Sequence, residues 1–210
     1  MFQIIQQGGP LMWPLLLCSV VSVGITIERF IFWWRFSRQR DEQWRRKLLE
    51  ILQRQSPGEE LLANVQELAA SHPGDVLARI VQQAIHCVGN NWQAKLEVAA
   101  AEEVEHMKRG LDIQDTIITL APLLGILGTV LGIINSFHLL GSKGVIDPKL
   151  VTGGIAQALI TTAAGLTVAI LTLIPFNYFV NRVKQNTHDI NRYLMLLSTI
   201  LNKEKGGEVS

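Results

Sequence analysis

Three stretches of this chain contain no Asp, Glu, Lys or Arg: Met1 to Ile27 (27 residues), Thr116 to Ser142 (27) and Leu150 to Asn181 (32). All 19 Lys+Arg and 18 Asp+Glu fall elsewhere, at about the charge density of an ordinary soluble surface. The formal net charge of +1 hides this partition. An uncharged, mainly apolar run of about 20 residues is long enough to cross a bilayer as a helix, which bonds all of its own backbone in hydrocarbon. The layout excludes a soluble single domain. A nucleic-acid binder is excluded for want of a basic excess, and two cysteines are too few for a disulfide scaffold.

Basic residues orient the spans. Met1 to Pro10 carries no charge, so the first run lacks the basic start of a secretion signal. Arg35, Arg38, Arg40, Arg45, Arg46 and Lys47 follow it, against Asp41 and Glu42. The positive-inside rule makes that side cytoplasmic. The expected order is a periplasmic N-terminus (1–10), a first span (11–34) and a cytoplasmic helical domain (35–115). A second span (116–141), a short periplasmic loop (142–149), a third span (150–181) and a cytoplasmic helix and tail (182–210) complete it. Trp33 and Trp34 are expected in an aromatic belt at the inner interface, and Trp13 near the outer one.

The segment Arg35 to Asp115 has 11 basic and 13 acidic residues and reads as folded helices. Ser56-Pro57-Gly58-Glu59 forms a capping box that starts a helix near Pro57. His72-Pro73-Gly74-Asp75 and then Gly89-Asn90-Asn91 are breaks. From Trp92 the apolar positions Leu96, Ala100, Val104, Met107 and Leu111 keep helical spacing. This predicts one unbroken helix from about Trp92 to Leu140, about 70 Å long. Val183, Ile190, Leu197 and Leu201 continue a stripe beyond the third span. The fold class is therefore an all-α membrane protein with three transmembrane helices, two of them extending into a cytoplasmic helical bundle.

Small and weakly polar residues gather on one face of each later span. Pro122, Gly125, Gly132 and Ser136 lie within about 60° of Thr129 on a helical wheel, with Gly128 at the edge. In the third span Gly154, Gln157, Ala158, Gly165, Val168 and Thr172 lie within about 60° of Thr161, and Leu159, Leu166, Ile170 and Leu171 lie away from them. Lipid should face the leucines, and helices should face the glycines, which let backbones approach. On the wheel alone, both stripes also read as simple packing seams.

The run Ala121-Pro122-Leu123-Leu124-Gly125-Ile126-Leu127-Gly128-Thr129-Val130-Leu131-Gly132, followed by Asn135-Ser136-Phe137, resembles the second-span signature of the ExbB/TolQ proton-channel family, which is related to MotA. The run from Gly154 to Leu166, with Asn177-Tyr178, resembles the third-span signature, and Glu28-Arg29 is a pair typical of the family. The resemblance is strongest to ExbB. It implies a pentameric ring in the bacterial inner membrane around an ExbD/TolR-like single-span partner. Such a motor uses the proton motive force for TonB-dependent transport, through a TonB-like protein, or for a related envelope process.

The residues add an independent point. A proton path within a membrane needs Asp, Glu or His, and the second and third runs contain no acidic residue. The carboxylate should come from the partner, where the family carries an aspartate. Thr129 and Thr162 match the family's pore threonines, with Thr161, Gln157 and Ser136 beside the path. Hydroxyls satisfied by a carbonyl one turn back are the plainer reading. Gln157 stands where some relatives have glutamate, so no titrating role carries over. Pro175 is displaced from the family's order. Glu28 and Arg29 read either as part of a cytoplasmic proton exit or as an interfacial pair with snorkelling side chains. His138 reads as a pH sensor or as a solvated interfacial histidine. Cys18 and Cys87 suggest no metal site, no cofactor is implied, and no phosphate loop or nucleophile elbow points to an enzyme. The contrasting possibility is a non-conducting membrane scaffold assembled through the Gly/Thr seams. The two differ over whether the threonines face water.

Overall fold

The structure is a computed structural model that describes residues 9–39, 42–54, 59–85, 92–143 and 148–207. Among these it is helical, with seven helices: α1 Met12–Gln39, α2 Glu42–Arg54, α3 Glu59–Ala70, α4 Val76–Ile85, α5 Trp92–Lys108, α6 Leu111–Lys143 and α7 Pro148–Gly207. Three stretches are long and apolar enough to cross a membrane: Met12–Arg38, Ala94–His138 and Thr152–Thr199. Of the expected capping box at 56–59 only Glu59 is described, as the first residue of α3; the break at 89–91 and Cys87 lie outside the described residues.

The chain divides into two compact units, Met1–Arg29 with Gly110–Phe179, and Phe30–Arg109 with Val180–Ser210. The first contains most of the charge-free sequence. Its apolar contacts are made by small side chains: Ala121 and Ala169 are buried with Met12 and Leu15, and Leu124, Ala164 and Val168 pack around them. Leu159, Leu166, Ile170 and Leu171 lie on the exposed face, as lipid-facing residues should. Pro122 and Pro175 sit inside continuous helices. Membrane helices tolerate such prolines because neighbouring groups can satisfy the freed carbonyl.

The second unit has a core of larger side chains. Trp44, Leu48, Val65, Ala69, Leu77 and Ile80 are buried, and the Trp44 indole donates to the Leu68 carbonyl at 2.9 Å. Asp75 carries out two tasks at the break before α4. Its Oδ1 accepts the Leu77 backbone N–H at 2.9 Å, as an N-cap does. Both of its oxygens also pair with the buried Arg45, at 3.1 and 3.2 Å. Arg79 pairs with Glu103 at 2.7 Å, and the hydrogen bond to Glu103 raises the guanidinium pKa above its ordinary value. Along α7 the expected stripe is present in Val183, Ile190 and Leu197, all buried.

Two expectations are corrected. The helix from Trp92 to Leu140 is not continuous: α5 ends at Lys108, Arg109 and Gly110 form a turn, and α6 starts at Leu111. Gly110 has φ +80, a left-handed geometry that only glycine adopts cheaply and that commonly ends a helix. Apolar spacing runs through this point unchanged, so periodicity could not reveal it. Trp33 is the second. It is 5% exposed and packs edge-on to Phe32 and Phe36, so it belongs to the core of its unit and not to an aromatic belt. Trp34, on the other side of the helix, is exposed with Arg38 over its ring at 4.3 Å.

Candidate functional site: the α6–α7 seam

The first unit brings the glycine faces of α6 and α7 together. A Cβ at Gly125 would meet Thr162 Cα at 3.0 Å, one at Gly128 would meet Thr161 Cγ2 at 2.5 Å, and one at Gly132 would meet Ala158 Cβ at 2.9 Å. From the other side, a Cβ at Gly154 would collide with Ser136 Oγ, and one at Gly165 would meet the Ala121 carbonyl oxygen at 2.5 Å. Each glycine is thus a place where the neighbouring helix occupies the volume of a methyl group. In hydrocarbon, where apolar burial drives little association, such close packing is what holds helices together.

This geometry shifts the stripe read from the wheel. Its buried centre runs through Ala121, Gly125, Gly128 and Ser136. Gly128 is inside the seam and Thr129 is half-buried at its margin, next to the exposed Val130. Pro122 is also half-buried. The wheel was centred on the polar residue, whereas packing centres on the smallest ones.

The hydroxyls fall into two classes. Thr161 and Ser136 are buried between the helices, 1% and 3% exposed, and each donates to a carbonyl one turn back, Gln157 and Gly132, at 2.9 Å. Thr129 and Thr162 are half-buried. Thr129 Oγ1 donates to the Ile126 carbonyl at 2.6 Å. Thr162 Oγ1 instead crosses the seam to donate to the Gly125 carbonyl at 2.8 Å. That inter-helix bond has a plain cause: without a Cβ, Gly125 lets the α7 backbone come close enough for a threonine to reach its carbonyl.

The remaining candidate residues lie apart from these hydroxyls. The Gln157 side chain packs against Gly9, where a Cβ would collide with its amide and where φ is +74. Glu28 and Arg29 form a two-point pair at 2.6 and 2.7 Å, with Arg29 buried and Glu28 exposed. His138 is exposed on α6. No cluster of three or more metal-ligating side chains exists among the described residues.

A polar group on the α1 side was not singled out from the sequence. Ser22 Oγ and Thr172 Oγ1 lie 2.6 Å apart, and Gln114 Nε2 donates to Thr26 Oγ1 at 2.8 Å. Ser19, Ser22 and Thr26 at helical spacing in an otherwise apolar span are the signal that would have found it.

Comparison with known proteins identifies the family. Residues 69–192, more than half of the chain, match the MotA/TolQ/ExbB proton channel family. The chain is 35% identical over 182 residues to the putative biopolymer transport protein ExbB-like 1 of Synechocystis, covering 85% of this chain and 70% of that protein. It is 37% identical over 177 residues to ExbB-like 3 of the same organism, covering 82% and 81%. Against the Tol-Pal system protein TolQ of Haemophilus influenzae it is 30% identical over 113 residues, covering 54% and 50%. With three helices fit to span a bilayer and a seam of glycines and threonines between two of them, the chain is a multi-pass membrane protein that belongs to the MotA/TolQ/ExbB proton channel family.

Proposed function

We propose that the chain is a pore-ring subunit of a proton-driven motor in the bacterial inner membrane, with its N-terminus periplasmic and its C-terminus cytoplasmic. It assembles as a pentamer around an ExbD/TolR-like single-span protein and couples proton flow to biopolymer transport, through a TonB-like protein or in a related envelope process. The family match over residues 69–192 supports this reading; beside it stand Thr162, whose hydroxyl crosses the seam, and Thr129, whose hydroxyl is satisfied by a carbonyl one turn back as the plainer reading has it. Both hydroxyl hydrogens are taken up by backbone carbonyls, so each oxygen offers lone pairs.

Lone pairs match a protonated carboxylic acid, which has an O–H to donate. A carboxylate needs a donor, which either threonine supplies once its hydroxyl swings off the carbonyl. This chain has no acidic residue in the second and third runs, so the acid is the partner's. Thr162 and Thr129 then distinguish its two protonation states by rotating a hydroxyl. The buried Thr161 and Ser136 shape the seam, and Gln157 supports the N-terminal turn.

The test is partner-dependent proton flux into liposomes containing the whole complex. Thr162→Val should lower flux by about tenfold or more, the size expected for one hydrogen bond to a charged group, about 1.5–3 kcal/mol. Thr162→Ser, which retains the hydroxyl, should restore most of it. Undiminished flux in Thr162→Val sinks the threonine mechanism. Absence of flux in the unmodified complex favours the scaffold reading, for which a glycine seam closed within one chain is sufficient.

A further inference from the structure

The part of α1 that belongs to the second unit changes from apolar to basic along its exposed face. Phe30, Ile31 and Trp34 are 65%, 51% and 55% exposed, and Arg35 and Arg38 are exposed beyond them. Ile31 lies three and four positions from Trp34 and Arg35, and Arg38 lies four and three beyond those, so the four side chains are neighbours on the helix surface. The stretch long and apolar enough to cross a membrane ends at Arg38. An apolar surface thus runs directly into two cations at the point where this span leaves hydrocarbon.

These cations are uncommitted. Arg45 and Arg79 in the same unit are each paired with a carboxylate, Asp75 and Glu103. Among the described residues neither Arg35 nor Arg38 forms a hydrogen bond or an ion pair. The contact that Arg38 makes is with the Trp34 ring, 4.3 Å from its centroid. Guanidinium N–H groups match phosphate oxygens two at a time. The occupant must be anionic at one end to meet them, and apolar at the other to cover Phe30 and Ile31. A choline headgroup would instead seek an aromatic ring, and the Trp34 ring already holds Arg38.

We propose that Phe30, Ile31, Trp34, Arg35 and Arg38 form a binding site for one anionic phospholipid, with its phosphate on the two guanidinium groups and an acyl chain along Ile31 and Phe30. Trp34 is the positioning residue: it holds the Arg38 side chain before the lipid arrives, which reduces the freedom lost on binding. The site shares no residue with the α6–α7 seam and stands independently of any proton-driven role.

The experiment is tryptophan quenching on the full chain in phosphatidylcholine vesicles that contain a small share of brominated lipid, either phosphatidylglycerol or phosphatidylcholine. Bromine quenches an indole only at close range, and subtracting the same measurement on Trp34→Phe isolates the Trp34 signal. A single cation near a membrane surface enriches anionic lipid on the order of fivefold, so brominated phosphatidylglycerol should quench Trp34 severalfold more than brominated phosphatidylcholine. Arg38→Gln, read against its own Trp34→Phe counterpart, should remove most of that difference. Lys47→Gln deletes the same charge from an exposed position on α2 and should leave the difference intact. Equal quenching by the two lipids in the unmodified chain would overturn the proposal. So would an equal fall in Lys47→Gln and Arg38→Gln, the mark of a diffuse surface potential. Loss of the difference on adding inorganic phosphate at constant ionic strength would also overturn it, because the site would then take a free anion.

Discussion

At the residue scale the glycines provide a direct test, because they differ in what surrounds them. Gly165→Ala would place a methyl 2.5 Å from the Ala121 carbonyl oxygen and 3.2 Å from Gly125 Cα. These are backbone atoms that cannot step aside, so a loss of about 1–3 kcal/mol is expected from overpacking. Gly24 is also helical but has nothing within 4 Å, so Gly24→Ala should be neutral or stabilising by up to about 1 kcal/mol. Thermal unfolding of the purified chain in one detergent compares the two, and equal effects would mean that the seam is not this tight. The small-residue face was legible because glycine and alanine recur with helical spacing. Which residue sits at its centre was not, because a wheel records direction alone, and Thr129 and Gly128 exchange edge and centre once a neighbouring helix is in place.

At the element scale, one glycine and one ion pair control how the helices are broken and joined. Gly110→Ala would put a side chain at φ +80 and within 3.1 Å of Ile25 Cγ2. The left-handed geometry alone costs about 1–2 kcal/mol for an L-residue, so a lower unfolding temperature is expected. An unchanged temperature would mean that the turn converts to helix without loss. Asp75→Ala removes the cap of α4 and leaves Arg45 buried without its carboxylate, for which about 3–5 kcal/mol is expected. Replacing both partners with apolar side chains should cost much less, and a double-mutant cycle in denaturant separates the two. The Arg79–Glu103 pair behaves differently. A cation whose folded-state pKa is raised adds stability that is fully present below its unfolded value and fades only above it, so this pair should contribute no pH dependence from neutral to mildly alkaline solution. A sloping difference between the protein and Glu103→Gln across that range would contradict this. The turn at His72 to Asp75 was visible in its residues. The Gly110 turn was not, because its apolar flanks keep helical spacing and one glycine inside such a pattern is ambiguous.

At the scale of the whole molecule, the absence of carboxylates from the second and third runs sets a requirement. The chain reconstituted alone should not conduct protons, and adding a single-span partner with an intramembrane aspartate should restore flux. Conduction by the chain alone would place the titrating group within it, with His138 as the first residue to replace. The sequence by itself determined the number of apolar runs, and it set the expectations for the orientation of the spans and for a partner that supplies the carboxylate. Each follows from the distribution of charge along the chain, because an unpaired charge facing hydrocarbon is costly in any fold. Only the tertiary structure decided which small residues close the seam, that Thr162 reaches the Gly125 carbonyl across it, that Trp33 belongs to a protein core, and that Gln114, in the stretch read as cytoplasmic, is buried against Thr26. Those outcomes depend on how closely two backbones approach and which partner meets each hydrogen, and neither is a property of one helix taken alone.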